Sequence, residues 1–176
     1  MDSNSVVTVT GTGRVGRNLG SVTVNCPAFG VVQGTGELDL GLFLHNGFLR
    51  PGGADSAGVL TIKGMVTNAA PANAAIEIDI GGCNEGEYDR LVVGTNTTAA
   101  GVPGRLHAGG ALVVRLLDGF QPVRNDTFQI LSFVSFTGAF DRLDLPGNPI
   151  HWDTTQLPVT GELRYIGPSG TLIILK

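Results

Sequence analysis

The stretch Gly58 to Thr67, "GVLTIKGMVT", decides how this chain is read, because its opening returns 52 residues later in "GALVVRLLDG" from Gly110. The shared frame is glycine, any residue, leucine, any residue, apolar residue. It recurs as GELDL at Gly36, GELRY at Gly161 and GTLII at Gly170. Alternation of this kind has the period of a β-strand, and the glycine at its head marks a corner. The echo extends further. "YDRLVV" at Tyr88 is matched by "FDRLDL" at Phe140, and "AIEIDI" at Ala75 by "TFQILS" at Thr127, each at the same 52-residue offset. Gly36 to Gly58 is 22 residues, close to half that interval. The spacing predicts one turn of chain every 22 to 26 residues, with 52-residue pseudo-repeats over about 58–109 and 110–161.

Helices have almost no room. The longest stretch free of both Gly and Pro runs from Val123 to Thr137, and most others are shorter than an average helix of about 11 residues. Strand signals recur instead: VVTVT, SVTVN, ELDLGL, VLTIKG, AAIEIDI, RLVVG, ALVVRLL, FQILSF and TLIILK, each bounded by Gly, Pro or Asn. The chain is expected to be all-β. The repeat favours a parallel β-solenoid whose strands stack about 4.8 Å apart. A closing hairpin is expected across "IGPSG", where the spacing from Gly161 to Gly170 breaks the period. The alternative is an antiparallel β-sandwich or jelly roll, since short strands separated by turns also describe that fold.

Alternation is sharpest in Ile76-Glu77-Ile78-Asp79-Ile80, which places three isoleucines on one face and two carboxylates on a face expected to be wet. With Leu91, Val93, Leu112, Val114, Ile130 and Leu131, these isoleucines are predicted to form one continuous core. No linker interrupts the 176 residues, so residues 1–176 are read as a single domain. At this length roughly 70% of the unfolded surface can be buried.

Charged residues make up 15% of the chain against roughly 25% in ordinary soluble domains, so Gly, Thr, Asn and Ser must carry the surface, a composition common outside the cytoplasm. A net charge of −4 and nine scattered arginines exclude a basic face, and nucleic acid is not an expected partner. No run of about 18 apolar residues is present, so no membrane span is expected. The opening MDSNSVV lacks the regions of a secretory signal, which fits a cytoplasmic protein or a mature fragment carrying a new Met. Cys26 and Cys83 have no metal-ligand spacing and are expected as two buried thiols, with a disulfide as the alternative.

The motifs that suggest chemistry fail on context. Gly11, Gly13 and Gly16 spell G-x-G-x-x-G after a strand, but the residues that follow, RNLGSVTVNCPAFG, do not form the helix whose N-terminus would face a pyrophosphate. No cofactor is expected. Ser56 beside Asp55 lies outside any G-x-S-x-G and reads as a turn residue. His45, His107 and His151 form no H-x-x-x-H pair. Asp79, Glu85, Glu87 and Asp89 cluster without the spacing of a calcium loop and read as a simple acidic loop. No metal and no catalytic residue is expected. Most aromatics fall on apolar strand phases and read as core. Trp152, between His151 and Asp153, is expected to be partly exposed, and with Tyr165 it is the candidate ligand contact.

In order along the chain, "NGFLRPGGADSAGVLTIKG", "AAIEIDIGG", "YDRLVVG", "GGALVVRLLDGFQP", "DTFQILSF", "GAFDRLDLP" and "HWDTTQLPVTGEL" cover roughly Asn46 to Leu163. This series resembles a repeat region of bacterial exported proteins. It is similar to the β-strand repeats of autotransporter passengers just before the membrane barrel, and to exported surface proteins with a Pro-Glu-Pro sorting tail. The resemblance implies a secreted or surface-displayed β-solenoid serving as stalk, spacer or adhesive shell, and it brings no catalytic set. The two cysteines depart from that pattern.

The resulting expectation is a non-enzymatic structural protein of the cell surface or extracellular matrix, self-associating as a homo-oligomer or filament. Val6, Val7 and Val9 near the start and Leu172, Ile173 and Ile174 near the end sit in strand-forming segments without the charges that normally protect sheet edges. A glycan-binding or adhesin module with a polysaccharide partner is the alternative. A polysaccharide-cleaving enzyme is a third reading, carried by fold analogy alone.

Overall fold

The computed structural model describes residues 6–10, 14–15, 23–27, 29–68, 74–95 and 101–168. In chain order the strands are β1 (Val6–Val9), β2 (Arg14–Val15), β3 (Thr23–Cys26), β4 (Val31–Gly34), β5 (Glu37–His45), β6 (Phe48–Pro51), β7 (Val59–Asn68), β8 (Ala75–Ile80) and β9 (Arg90–Gly94). They continue with β10 (Arg105–Ala108), β11 (Ala111–Leu116), β12 (Thr127–Gln129), β13 (Leu131–Phe133), β14 (Ser135–Gly138), β15 (Arg142–Asp144), β16 (Trp152–Asp153) and β17 (Glu162–Tyr165). Among the described residues there is no α-helix. A short 3-10 turn at Pro149–His151 is capped by Asn148, whose side chain accepts the Ile150 N–H.

The first sheet runs β1-β4-β6-β8-β11-β15, and every neighbouring pair in it is parallel. In the second sheet β2 and β3 both pair with β5, and β5 pairs with β7. The first half of β7 then carries β9 and the second half β10, which in turn pair with β13 and β14, again all parallel. A parallel partner must be reached by a crossover, and here each crossover is itself a strand of the other sheet: β4 leads to β5, β5 to β6, β6 to β7. The parallel register fits poorly with the antiparallel sandwich. A small third sheet, β12-β17-β16, is antiparallel; the residues that would complete a hairpin across "IGPSG" lie partly outside the described residues.

The inward positions stack in register. Leu49, Ile76, Leu112 and Leu143 form one column, and Leu60, Leu91 and Leu131 another. All nine residues predicted for the core are buried in one hydrophobic cluster. Burying each large aliphatic side chain contributes about 1.5–3 kcal/mol. At the C-terminal end the column is closed by Phe128, Trp152, Leu157 and Leu163 of the antiparallel segment.

Two expectations about pattern are corrected. The outer face of β8 is not wet: Glu77 is 8% exposed and Asp79 1%. Arg50 from β6 and Arg115 from β11 pair with these carboxylates and cover most of their surface. The expected interval of 22 to 26 residues between stacked strands is not kept either. Ala75 lies beside Ala111, 36 residues on, Val59 beside Arg90, 31 on, and Val31 beside Phe48, 17 on. GVLTIKG and GALVVRL belong to different sheets, because the loops between strands differ widely in length.

What the glycines supply is backbone proximity at the corners. Phe48 donates its N–H to the Gly30 carbonyl at 2.8 Å, and Ala75 donates to that of Gly47 at 2.9 Å. A Cβ on Gly47 would sit 2.1 Å from the Gly30 oxygen, so any side chain there would push the two chain segments apart.

Candidate functional site

The two ligand-contact candidates meet. Trp152 on β16 lies opposite Tyr165 on β17, with ring centroids 5.0 Å apart in an edge-on arrangement. His151 sets its ring edge-on to Tyr165 at 6.3 Å. Together with Gln121, Asn148 and Leu116 these rings line a pocket of about 230 Å³. The backbone fixes its floor, since Ile166 donates its N–H to the His151 carbonyl at 2.8 Å. Aromatic walls with a few polar groups suit a small polar ligand.

Trp152 is nevertheless not the partly exposed residue expected: it is 5% exposed. Its indole packs against Phe128 with centroids 6.1 Å apart, and its Nε1–H donates to the Pro146 carbonyl at 3.0 Å. An indole whose N–H finds a partner can be buried without cost from an orphaned donor, and that is what local sequence did not reveal. Tyr165, half-buried, is the more accessible of the pair.

A second constellation is charged and built on buried carboxylates. Asp89 is 1% exposed; its Oδ1 accepts the Gly58 N–H at 2.8 Å and its Oδ2 the Asp79 N–H at 2.9 Å. Burial pushes its carboxyl up to about 8, against the opposing pull of those two donors and Arg115 and with some help from the charge of Asp79. Arg115 Nε bonds Asp79 Oδ1 at 2.9 Å, its Nη2 lies 3.5 Å from Glu77 Oε2, and Arg50 pairs with the same Glu77 oxygen. Burial works against the Arg115 charge, but the Asp79 and Glu77 carboxylates outweigh it and hold the guanidinium above its ordinary value. The geometry ties strands together.

The remaining acids of the cluster close their own loop. Glu87 Oε2 accepts both the backbone and side-chain N–H of Asn84, bonds that hold its carboxyl below its usual range, and Glu85 pairs with Arg90 at 3.0 Å. Among the described residues no group of three or more His, Cys, Asp or Glu is arranged to hold a metal. His45 lies on β5, His107 on β10 with Nδ1 3.0 Å from Thr137 Oγ1, and His151 beside the aromatic pocket. Ser56 and Asp55 occupy an exposed turn in which Asp55 has a φ of 54°.

Both cysteines are free thiols. Cys26 is buried as expected, but Cys83 is exposed on the loop after β8, which corrects the expectation of two buried thiols. Partial desolvation of its sulfur and the neighbouring Asp126 and Glu87 push the Cys83 thiol up to about 11.

Of the edge-strand candidates, Val6, Val7 and Val9 form most of β1, the outermost strand of the first sheet, and Val6 is 56% exposed while Val9 is buried. Leu172, Ile173 and Ile174, like Gly11, Gly13 and Gly16, lie outside the described residues. Sequence reasoning missed Arg50 and Arg115. Alternation places Arg115 on the face opposite Leu112 and Val114, but nothing local says which carboxylate lies beside it. No family model, curated protein or solved structure matches this chain.

Proposed function

We propose that the chain is a non-enzymatic structural protein of the cell surface or extracellular matrix, a β-solenoid whose copies associate end to end into a filament or layer. The observation that carries this reading is the unpaired outer edge of β1. It begins a sheet of six parallel strands, and among the described residues nothing pairs with that edge. Because all six strands run the same way, β15 at the far side offers an edge of matching direction. Pairing β1 of one copy with β15 of the next is heterologous, and it propagates as a filament where the rotation between copies does not close a ring. The apolar groove of Phe136, Phe140, Leu143, Leu157 and Pro158 adjoins β15. β1 bears no charge, proline or lysine to discourage such pairing. The likeness of the motif series to exported bacterial repeat proteins supports an extracellular setting.

Light scattering and electron microscopy on the full chain test this reading. Rods or sheets are expected, and Val6→Lys, a change at an exposed site, shifts the population to monomer. A wild-type chain that stays a monodisperse monomer at high concentration refutes it.

A second reading, a glycan-binding or adhesive module, is supported by the pocket of Trp152, Tyr165 and His151. Loss of glycan retention in Tyr165→Ala, with unchanged assembly, would favour it.

A further inference from the structure

We propose that the outer face of the first sheet holds a separate trough that binds one ring of a neutral saccharide. In one register row Phe48, Ala75, Ala111 and Arg142 follow one another across β6, β8, β11 and β15. The two alanines leave a dent between a phenylalanine and an arginine, and it opens into a trough of about 290 Å³ that Glu77 and Phe29 also line. That volume lies near the lower end of small-ligand sites, enough for a single ring.

Two features of the trough are unexplained by folding alone. Phe29 is 50% exposed and has a φ of 64° in a turn closed by the Gly30 N–H on the Pro27 carbonyl at 3.0 Å. Such a turn position ordinarily takes glycine, so a bulky aromatic there is strained, and its ring gains little by packing. Strain of this kind persists where a side chain serves another purpose. Glu77 is the second feature. It is 8% exposed, and both of its ion pairs, to Arg50 and Arg115, use Oε2. Neither contact uses Oε1, which is not a sealed atom and is presented to the trough as an acceptor.

The charge balance selects the ligand. Glu77 and Asp79 are matched by Arg50 and Arg115, and Arg142 by Asp144 at 2.8 Å. A charged ligand would leave a charge uncompensated, whereas a neutral hydroxylated ring would not. Its hydroxyl donates to Glu77 Oε1, a second hydroxyl accepts from Arg142, and its C–H face lies on Phe29. Phe48 serves as the fixed wall, with the Arg50 guanidinium carbon 5.3 Å from its ring centroid. This site is separate from the pocket at Trp152.

Amide chemical-shift mapping of the full chain carrying Val6→Lys, so that it stays monomeric, with millimolar maltohexaose, cellohexaose, xylohexaose and mannohexaose, and with a galacturonate hexamer as the anionic arm, tests the proposal. At least one neutral hexasaccharide is expected to shift Phe29, Ala75 and Ala111 saturably. Phe29→Gly weakens that binding by about ten-fold or more while raising Tm, a combination that misfolding cannot produce. Ala111→Leu fills the trough and abolishes binding, and Tyr165→Ala leaves it unchanged. The proposal is overturned if no neutral hexasaccharide shifts these amides, if only the galacturonate does, if Phe29→Gly binds as wild type, or if Tyr165→Ala alone removes binding.

Discussion

Asp89 holds Gly58 at the head of the neighbouring strand: its Oδ1 accepts the Gly58 N–H at 2.8 Å across a separation of 31 residues. Asp141 does the same for Gly110, with Oδ2 accepting at 2.9 Å over the same separation. In both places the following arginine donates its backbone N–H to that glycine's carbonyl, Arg90 to Gly58 and Arg142 to Gly110. One joint is in the second sheet and the other in the first. The 52-residue echo therefore marks a repeated joint between paired strands, one in each sheet.

Removing the buried copy of this joint should be costly. Asp89→Ala leaves the Gly58 and Asp79 N–H groups without acceptors in a buried setting, and each orphaned donor costs about 1–3 kcal/mol. Urea unfolding should show a loss of about 2–5 kcal/mol for Asp89→Ala. Asp141 is exposed, so water can replace its carboxylate, and Asp141→Ala should cost about 1 kcal/mol or less.

Stability should fall as pH rises between about 4 and 8. The Asp89 carboxyl is near 3.8 when unfolded and is pushed up to about 8 by burial in the fold. Over that window the folded chain binds more protons than the unfolded one, so the contribution is complete below about 4 and disappears as pH passes 8. Denaturation midpoints measured across this range should show the decline, and Asp89→Asn should flatten it. A profile rising with pH in wild type and unchanged in the variant would contradict this.

Core and surface isoleucines should separate cleanly. Ile78 is fully buried while Ile150 is 73% exposed. Ile78→Ala should lose about 2–5 kcal/mol, and Ile150→Ala less than about 0.5 kcal/mol, by chemical denaturation.

Two glycines offer a steric contrast. Gly47→Ala drives its Cβ onto the Gly30 oxygen, whereas Gly94→Ala would meet only Lys63 Cγ at 3.7 Å. Thermal unfolding should show a cost of about 1–3 kcal/mol or more for the first and a change within about 0.5 kcal/mol for the second.

Exposure should not make Cys83 reactive. With its thiol near 11, little thiolate exists at pH 8, and alkylation by iodoacetamide should be much slower than that of a free cysteine peptide. Asp126→Asn removes a carboxylate that holds the proton on sulfur, and the rate should rise.

Strand content and the inward face were legible because they depend on period two, a property of adjacent residues. Ile76, Ile78 and Ile80, Leu91 and Val93, and Leu112 and Val114 point inward as their alternation requires. Glycine at corners was legible for the same local reason. Parallel pairing was expected from the repeat, but which residues pair was not legible, because that register depends on loop lengths that vary along the chain. The fates of Glu77 and Asp79 follow from that register: Arg50 reaches Glu77 across 27 residues and Arg115 reaches Asp79 across 36, and those contacts bury a face that alternation alone assigns to water. Trp152 lost its expected exposure because Phe128 and the Pro146 carbonyl, distant or irregular in sequence, supply its apolar and polar partners. Periodicity along the chain determines which residues turn inward; the pairing of distant strands decides what lies beside each outward residue, and so which charges are buried and which surfaces remain open.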